Sequence, residues 1–120
     1  DPVWVKAFIE EFPLFHEVPT WYLEDRILEA TRVPARVWQS ALRGLTTSPP
    51  PLETGRISAP TLIIRGERDE VLTPESQAAM ADRVPGSTLL TYGGVGHLVL
   101  WEEPERIAAD LVEFVGGLYG

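Results

Sequence analysis

Two short stretches of this 120-residue chain carry side chains able to move protons. One reads Gly66-Glu67-Arg68-Asp69-Glu70 and follows an apolar run; the other reads Gly93-Gly94-Val95-Gly96-His97 and follows a second such run. An imidazole titrates near neutrality, so it can take a proton from a hydroxyl or a water and return it to a leaving group. A buried carboxylate beside it holds the ring in one tautomer and stabilises the imidazolium that forms. Asp69 and His97 are the candidate pair, and together they make two thirds of a nucleophilic triad. The glycines before His97 let the backbone turn sharply and leave the ring room to reach a substrate. Against this stands a plainer account in which Glu67, Asp69 and Glu70 form an acidic surface patch and a lone histidine is structural. Joint placement after two consecutive strands favours the chemical account. His16, between Phe15 and Glu17 in a proline-bounded turn, lacks such a partner and reads as a surface or packing residue.

Other chemistries fit less well. The glycine cluster fails the dinucleotide pattern GxGxxG, because Gly94-Val95-Gly96 is followed by His97, Leu98 and Val99. Two histidines in different subregions and no cysteine do not supply a typical zinc ligand set. No cofactor or metal is expected.

The elements that must hold Asp69 and His97 can be read from periodicity. Residues 2–46 are helical in three pieces separated by Pro13, Pro19 and Pro34. In the first piece Val5, Phe8, Ile9 and Phe12 share a face, with Lys6, Glu10 and Glu11 outward. The second is expected to start at Thr20 as N-cap, with Leu23, Ile27 and Ala30 on one stripe. The third begins near Pro34 and is expected to turn Val37, Trp38, Ala41 and Leu45 inward. Residues 47–58, with three consecutive prolines and a glycine, form a connector. Beyond it, Thr61–Arg65 and Thr88–Tyr92 are short strands flanking a helix opened by Thr73-Pro74-Glu75. Strand, helix, strand implies two parallel strands joined by a right-handed crossover. Functional groups then sit just past the carboxyl ends of those strands, where both candidate loops lie. A last helix starts at Pro104, is expected to bury Ile107, Leu111, Val115 and Leu118, and ends at the glycines 116, 117 and 120.

Apolar runs without polar alternation belong to strands covered on both faces. Two such strands leave unpaired edges and too little core, so further strands are expected from an upstream part of the polypeptide or from a partner chain. The start at Asp1-Pro2, without an initiator methionine, favours the upstream part. Composition bounds the rest. Hydrophobic side chains make up 44% and charged ones 23%, as in a globular domain, and the longest apolar stretches fall far short of the roughly 20 residues a membrane span needs. A formal charge of −8 without a basic cluster repels a phosphate backbone, so no nucleic-acid partner is expected. The expected location is cytoplasmic.

The stretches APTLIIRGERDEVLTPESQ and GGVGHLVLWEEPERIAADLVEFV, between about Ser58 and Val115, resemble the C-terminal part of α/β-hydrolase fold enzymes. A strand ending in GxxD, a helix, a strand and GxGH follow one another as in that superfamily. The resemblance implies an α/β fold, here partial: a helical cap (1–46), a connector (47–58) and the C-terminal part of the hydrolase core (59–120). It implies Asp69 as the triad acid and His97 as the base, and it assigns Glu102 and Pro104 to bracing the final helix, without chemistry. The aromatic residues Trp4, Phe8, Phe12, Phe15, Trp21, Tyr22 and Trp38 are candidates to line an apolar substrate pocket.

One departure is large. No serine is flanked by glycine two places before and two after, so the GxSxG nucleophile turn is missing, and with it the oxyanion donors. The expectation is a segment that supplies acid and base for hydrolysis of a small, largely apolar, ester-like substrate, silent without the rest of the hydrolase core. The competing expectation is a non-catalytic ligand-binding module of the same fold.

Overall fold

The computed structural model describes residues 1–50, 53 and 55–120. They divide into two compact units. One comprises Asp1–Phe12 with Val18–Gly55, the other Pro13–Glu17 with Arg56–Gly120. The expected connector at 47–58 lies partly outside the described residues, at 51, 52 and 54.

The first unit holds helices α1 (Pro2–Glu10), α2 (Thr20–Arg32) and α3 (Ala35–Thr47). Asp1 caps α1, its carboxylate accepting the Val3 N–H at 2.9 Å, with Pro2 at the first helical position. Val5 is buried, and the ring of Phe8 stacks on Trp4 at 5.4 Å and meets Phe12 and Trp38 edge-on at 5.5 and 6.0 Å. Helix α2 begins one residue differently from expectation. Thr20 is already helical and Pro19 stands at the cap with no side-chain hydrogen bond. The Pro19 carbonyl instead accepts the N–H groups of Tyr22 and Leu23, and its ring presets the backbone leading into the helix. Pro34 does the same for α3.

The inward face expected of α3 is not buried. Trp38 is half-buried, while Val37, Ala41 and Leu45 are exposed, Leu45 at 81%. Periodicity marks which face is apolar, but burial requires a second layer against it.

The second unit contains β1 (Leu62–Gly66), α4 (Pro74–Arg83), β2 (Thr88–Tyr92), a short α5 (Val99–Glu102) and α6 (Pro104–Tyr119). The strands pair in parallel from Leu62 opposite Thr88 to Gly66 opposite Tyr92. Thr73 caps α4, its hydroxyl accepting the Ser76 N–H. Ile63, Val84, Tyr92 and Val95 are the buried hydrophobic side chains here among the described residues.

Pairing continues past the strand ends. The Glu67 N–H donates to the Tyr92 carbonyl at 2.9 Å and the Arg68 N–H to the Val95 carbonyl at 2.8 Å. Gly66 is pressed so closely on this second loop that a Cβ there would lie 2.1 Å from the Gly96 oxygen and 2.3 Å from the Val95 oxygen. Tyr92, fully buried at the end of β2, donates its hydroxyl to Asp110 of α6 and carries the Arg106 guanidinium 3.8 Å from its ring centroid. Burial, reinforced by the Asp110 carboxylate, pushes the Tyr92 hydroxyl pKa up to about 12.

Helix α6 starts at Pro104 as expected. Its apolar face is nevertheless open: Ile107 is half-buried and Leu111, Val115 and Leu118 are exposed. It also runs through Gly116 and Gly117 to Tyr119 rather than stopping at them, because helical glycine costs only about 1 kcal/mol relative to alanine. Among the described residues no helix is long and apolar enough to cross a membrane.

Gly66→Ala is expected to lower unfolding free energy by about 1–3 kcal/mol by forcing the two loops apart. Gly44→Ala, in α3 with open space around the added carbon, should raise it by up to about 1 kcal/mol. Urea-denaturation midpoints of the two variants check both signs.

Candidate active site

Where β1 ends, the chain turns back on itself, with the Asp69 N–H donating to the Gly66 carbonyl at 3.3 Å. This turn points the Asp69 carboxylate inward, where it is 7% exposed. Its Oδ1 accepts the N–H groups of Val71 and Leu72, each at 2.9 Å. Its Oδ2 accepts the Gln77 side-chain amide at 3.3 Å. Both oxygens face His97, whose Nδ1 lies 3.1 Å from Oδ1 and 3.0 Å from Oδ2. The two residues named from sequence are therefore brought together, while Glu67 and Glu70 of the same acidic loop remain exposed.

The electrostatics favour an ionised acid. Burial, the largest influence on Asp69, raises its pKa, but the Leu72 N–H, the His97 ring and the Val71 N–H together outweigh it. The net result is a carboxyl held below its ordinary value. An ionised Asp69 accepts the Nδ1–H of His97, which leaves Nε2 as the ring's basic nitrogen.

His97 is carried by the loop after β2. Gly94 sits at φ +73°, a conformation that favours glycine, and donates its N–H to the Glu67 carboxylate at 2.8 Å. Gly96 donates its N–H to Glu102 Oε1 at 2.9 Å. The other oxygen of Glu102 accepts the N–H groups of Phe15 and His16, both at 2.9 Å.

Three residues take roles that sequence reading did not foresee. His16 does have a partner, because its Nδ1 is hydrogen-bonded to Glu103 Oε1. The two residues are 87 apart in sequence, beyond the reach of local pattern. Glu102 is 6% exposed and binds backbone rather than merely bracing a helix. Gln77 is 6% exposed and supports the acid, its amide also donating to the Leu72 carbonyl at 3.1 Å. Among the described residues no group of three or more histidine, cysteine, aspartate or glutamate side chains is arranged to hold a metal ion.

The helical unit contains a cavity of about 680 Å³. Trp4, Val5, Phe8, Val33, Trp38 and Leu42 form much of its wall. Of the aromatic residues expected at a pocket, Trp4, Phe8 and Trp38 line it, whereas Phe15 belongs to the second unit.

A parallel strand-helix-strand unit with a carboxylate and an imidazole at adjacent strand ends defines a partial α/β-hydrolase fold. The same fold is found in a solved serine hydrolase involved in carbazole degradation, with a TM-score of 0.75 at 20% identity over 97% of this chain and 47% of that one. Residues 16–105 match the profile of the family described as serine aminopeptidase, S33, and the chain belongs to that α/β-hydrolase family. Among curated relatives, it is 32% identical over 65 residues to an uncharacterised hydrolase, YugF, of Bacillus subtilis (54% of this chain, 24% of that protein). It is 29% identical over 96 residues to a pimeloyl-[acyl-carrier protein] methyl ester esterase of Stenotrophomonas maltophilia (80% of this chain, 37% of that protein). The chain thus spans well under half the length of these relatives.

The lowered pKa of Asp69 has a signed consequence for stability. Its native midpoint lies below that of the unfolded chain, so its contribution is complete above the ordinary carboxylate range and is lost as pH falls through the native midpoint. Urea midpoints recorded between about pH 2 and pH 6 should show this acid limb in the parent chain and a shallower one in Asp69→Asn.

Proposed function

We propose that this chain is the acid–base segment of a serine hydrolase acting on small, largely apolar carboxylic esters, with the nucleophile supplied by polypeptide outside these 120 residues. The observation that carries the reading is the bond from His97 Nδ1 to a buried Asp69 already held by two backbone N–H groups. Membership of the family described as serine aminopeptidase supports the serine nucleophile, and likeness to a methyl ester esterase supports the ester substrate.

In the proposed reaction His97 Nε2 takes the proton of the serine hydroxyl as its oxygen attacks the ester carbonyl carbon. Asp69 stabilises the resulting imidazolium through Nδ1–H. The imidazolium then protonates the departing alkoxide as the carbon–oxygen bond breaks, leaving an acyl-enzyme. Water attacks that intermediate with His97 again as base, and the released serine oxygen recovers the proton. In this reading helices α1 to α3 are the cap of the enzyme.

A second reading, a module that binds an apolar ligand without catalysis, draws on the cavity walled by Trp4, Phe8 and Trp38.

Turnover of p-nitrophenyl esters separates the two. In the polypeptide that includes the nucleophile, His97→Ala is expected to lower kcat on the order of 10³-fold or more, and Asp69→Asn comparably, with small changes in KM. The 120-residue chain alone should hydrolyse these esters no faster than its own His97→Ala variant. Saturable binding of the ester with no turnover in the unmutated long chain would favour the binding module instead, and a near-normal kcat in its His97→Ala variant would remove His97 from the reaction.

A further inference from the structure

Glu102 is a buried carboxylate that the proposed reaction does not use. Its surroundings set it apart from a helix brace. Helix α5 closes its own turn without the side chain, through the Trp101 N–H to the Leu98 carbonyl at 2.9 Å. The Glu102 oxygens reach elsewhere: Oε1 to the Gly96 N–H, Oε2 to the N–H groups of Phe15 and His16. Burying a carboxylate is costly unless donors surround it, and here three backbone N–H groups do so.

The Gly96 N–H belongs to the Val95–Gly96 peptide, one peptide before the bond into His97, so holding it fixes the start of the short turn from which the His97 ring leaves the chain. Gly96 is confined on several sides. Its carbonyl oxygen lies against Gly66, and a Cβ added at Gly96 would be 3.0 Å from both the Phe15 ring and the Pro13 carbonyl oxygen. Phe15 in turn lies beneath the Arg68 guanidinium, 4.8 Å from its ring centroid, next to the acid. The carboxylate of Glu102 joins these parts: it holds the loop of the base and, through Phe15, the segment that packs against the loop of the acid.

We propose that Glu102 is a positioning residue for His97, holding the Val95–Gly96 peptide so that Nδ1 of the ring stays on Asp69. The proposal rests on the reading of Asp69 and His97 as an acid–base pair, and its test keeps the two apart. The chain has only two histidines, His16 and His97, so their ring nitrogens can be followed individually by ¹⁵N NMR of the 120-residue chain at a pH where both are neutral. In the parent, His97 is expected as the Nδ1–H tautomer. Glu102→Gln, which keeps shape but presents an amide N–H₂ to backbone donors, should convert a measurable share of His97 to the Nε2–H tautomer. Glu103→Gln removes a neighbouring charge without touching Gly96 and should leave the His97 tautomer unchanged, so an equal response in both variants would overturn the proposal.

A parent spectrum already dominated by Nε2–H would sink the acid–base reading itself. An Nδ1–H tautomer that survives Glu102→Gln would sink only the positioning role. Should Glu102→Gln not fold, amide exchange in the parent decides: Gly96, Phe15 and His16 are expected to exchange together and at least about tenfold more slowly than Gly93. Exchange of Gly96 as fast as Gly93 would overturn the proposal.

Discussion

Parallel pairing that does not stop where the strands stop is the constraint on which the site depends. The ladder runs to Gly66 opposite Tyr92, and the backbone then continues to bond across, from Glu67 to Tyr92 and from Arg68 to Val95. Two loops that would otherwise splay are latched by their own main chains. Only a residue without a Cβ fits at the latch, where Gly66 meets the carbonyl oxygens of Val95 and Gly96. The proximity of Asp69 and His97 follows from this latch more than from their mutual attraction, since a hydrogen bond of this kind contributes only a few kcal/mol at most against the disorder of two free loops.

Charge is handled in a consistent way around the latch. Asp69 and Glu102 are both buried; Glu102 accepts three backbone N–H groups, and Asp69 accepts two beside the side chains of Gln77 and His97. Backbone donors are fixed in place by the fold, so little reorganisation is needed when charge on the neighbouring ring changes. The acidic loop also offers Glu67 to the Gly94 N–H, and this exposed carboxylate shares in holding the glycine turn.

The remainder of the molecule carries apolar side chains at its surface. Leu111, Val115 and Leu118 on α6 are exposed, as are Val37 and Leu45 on α3, and among the described residues the sheet has only two strands. Apolar stripes of this kind are what a helix presents to another layer of a larger fold. That agrees with a chain spanning 24% and 37% of the lengths of the two curated relatives compared with it.

Local rules made much of this protein legible from its residues. The strands, the Thr73 cap, the Pro104 start and the placing of Asp69 and His97 on adjacent loops follow from runs, caps and glycines, because each depends on neighbours within a few positions. The choice between Thr20 and Pro19 as cap was not legible, since both residues can begin a helix and the carbonyl of Pro19 won. Nor was the burial of α3 and α6, because periodicity reports which face is apolar and not whether anything covers it. The roles of Glu102, His16 and Gln77 were settled only by tertiary contact. Glu102 meets donors 86 and 87 residues away, and no local pattern carries information over that separation; only packing of the folded chain turns a glutamate that resembles a helix brace into the clamp behind the candidate base.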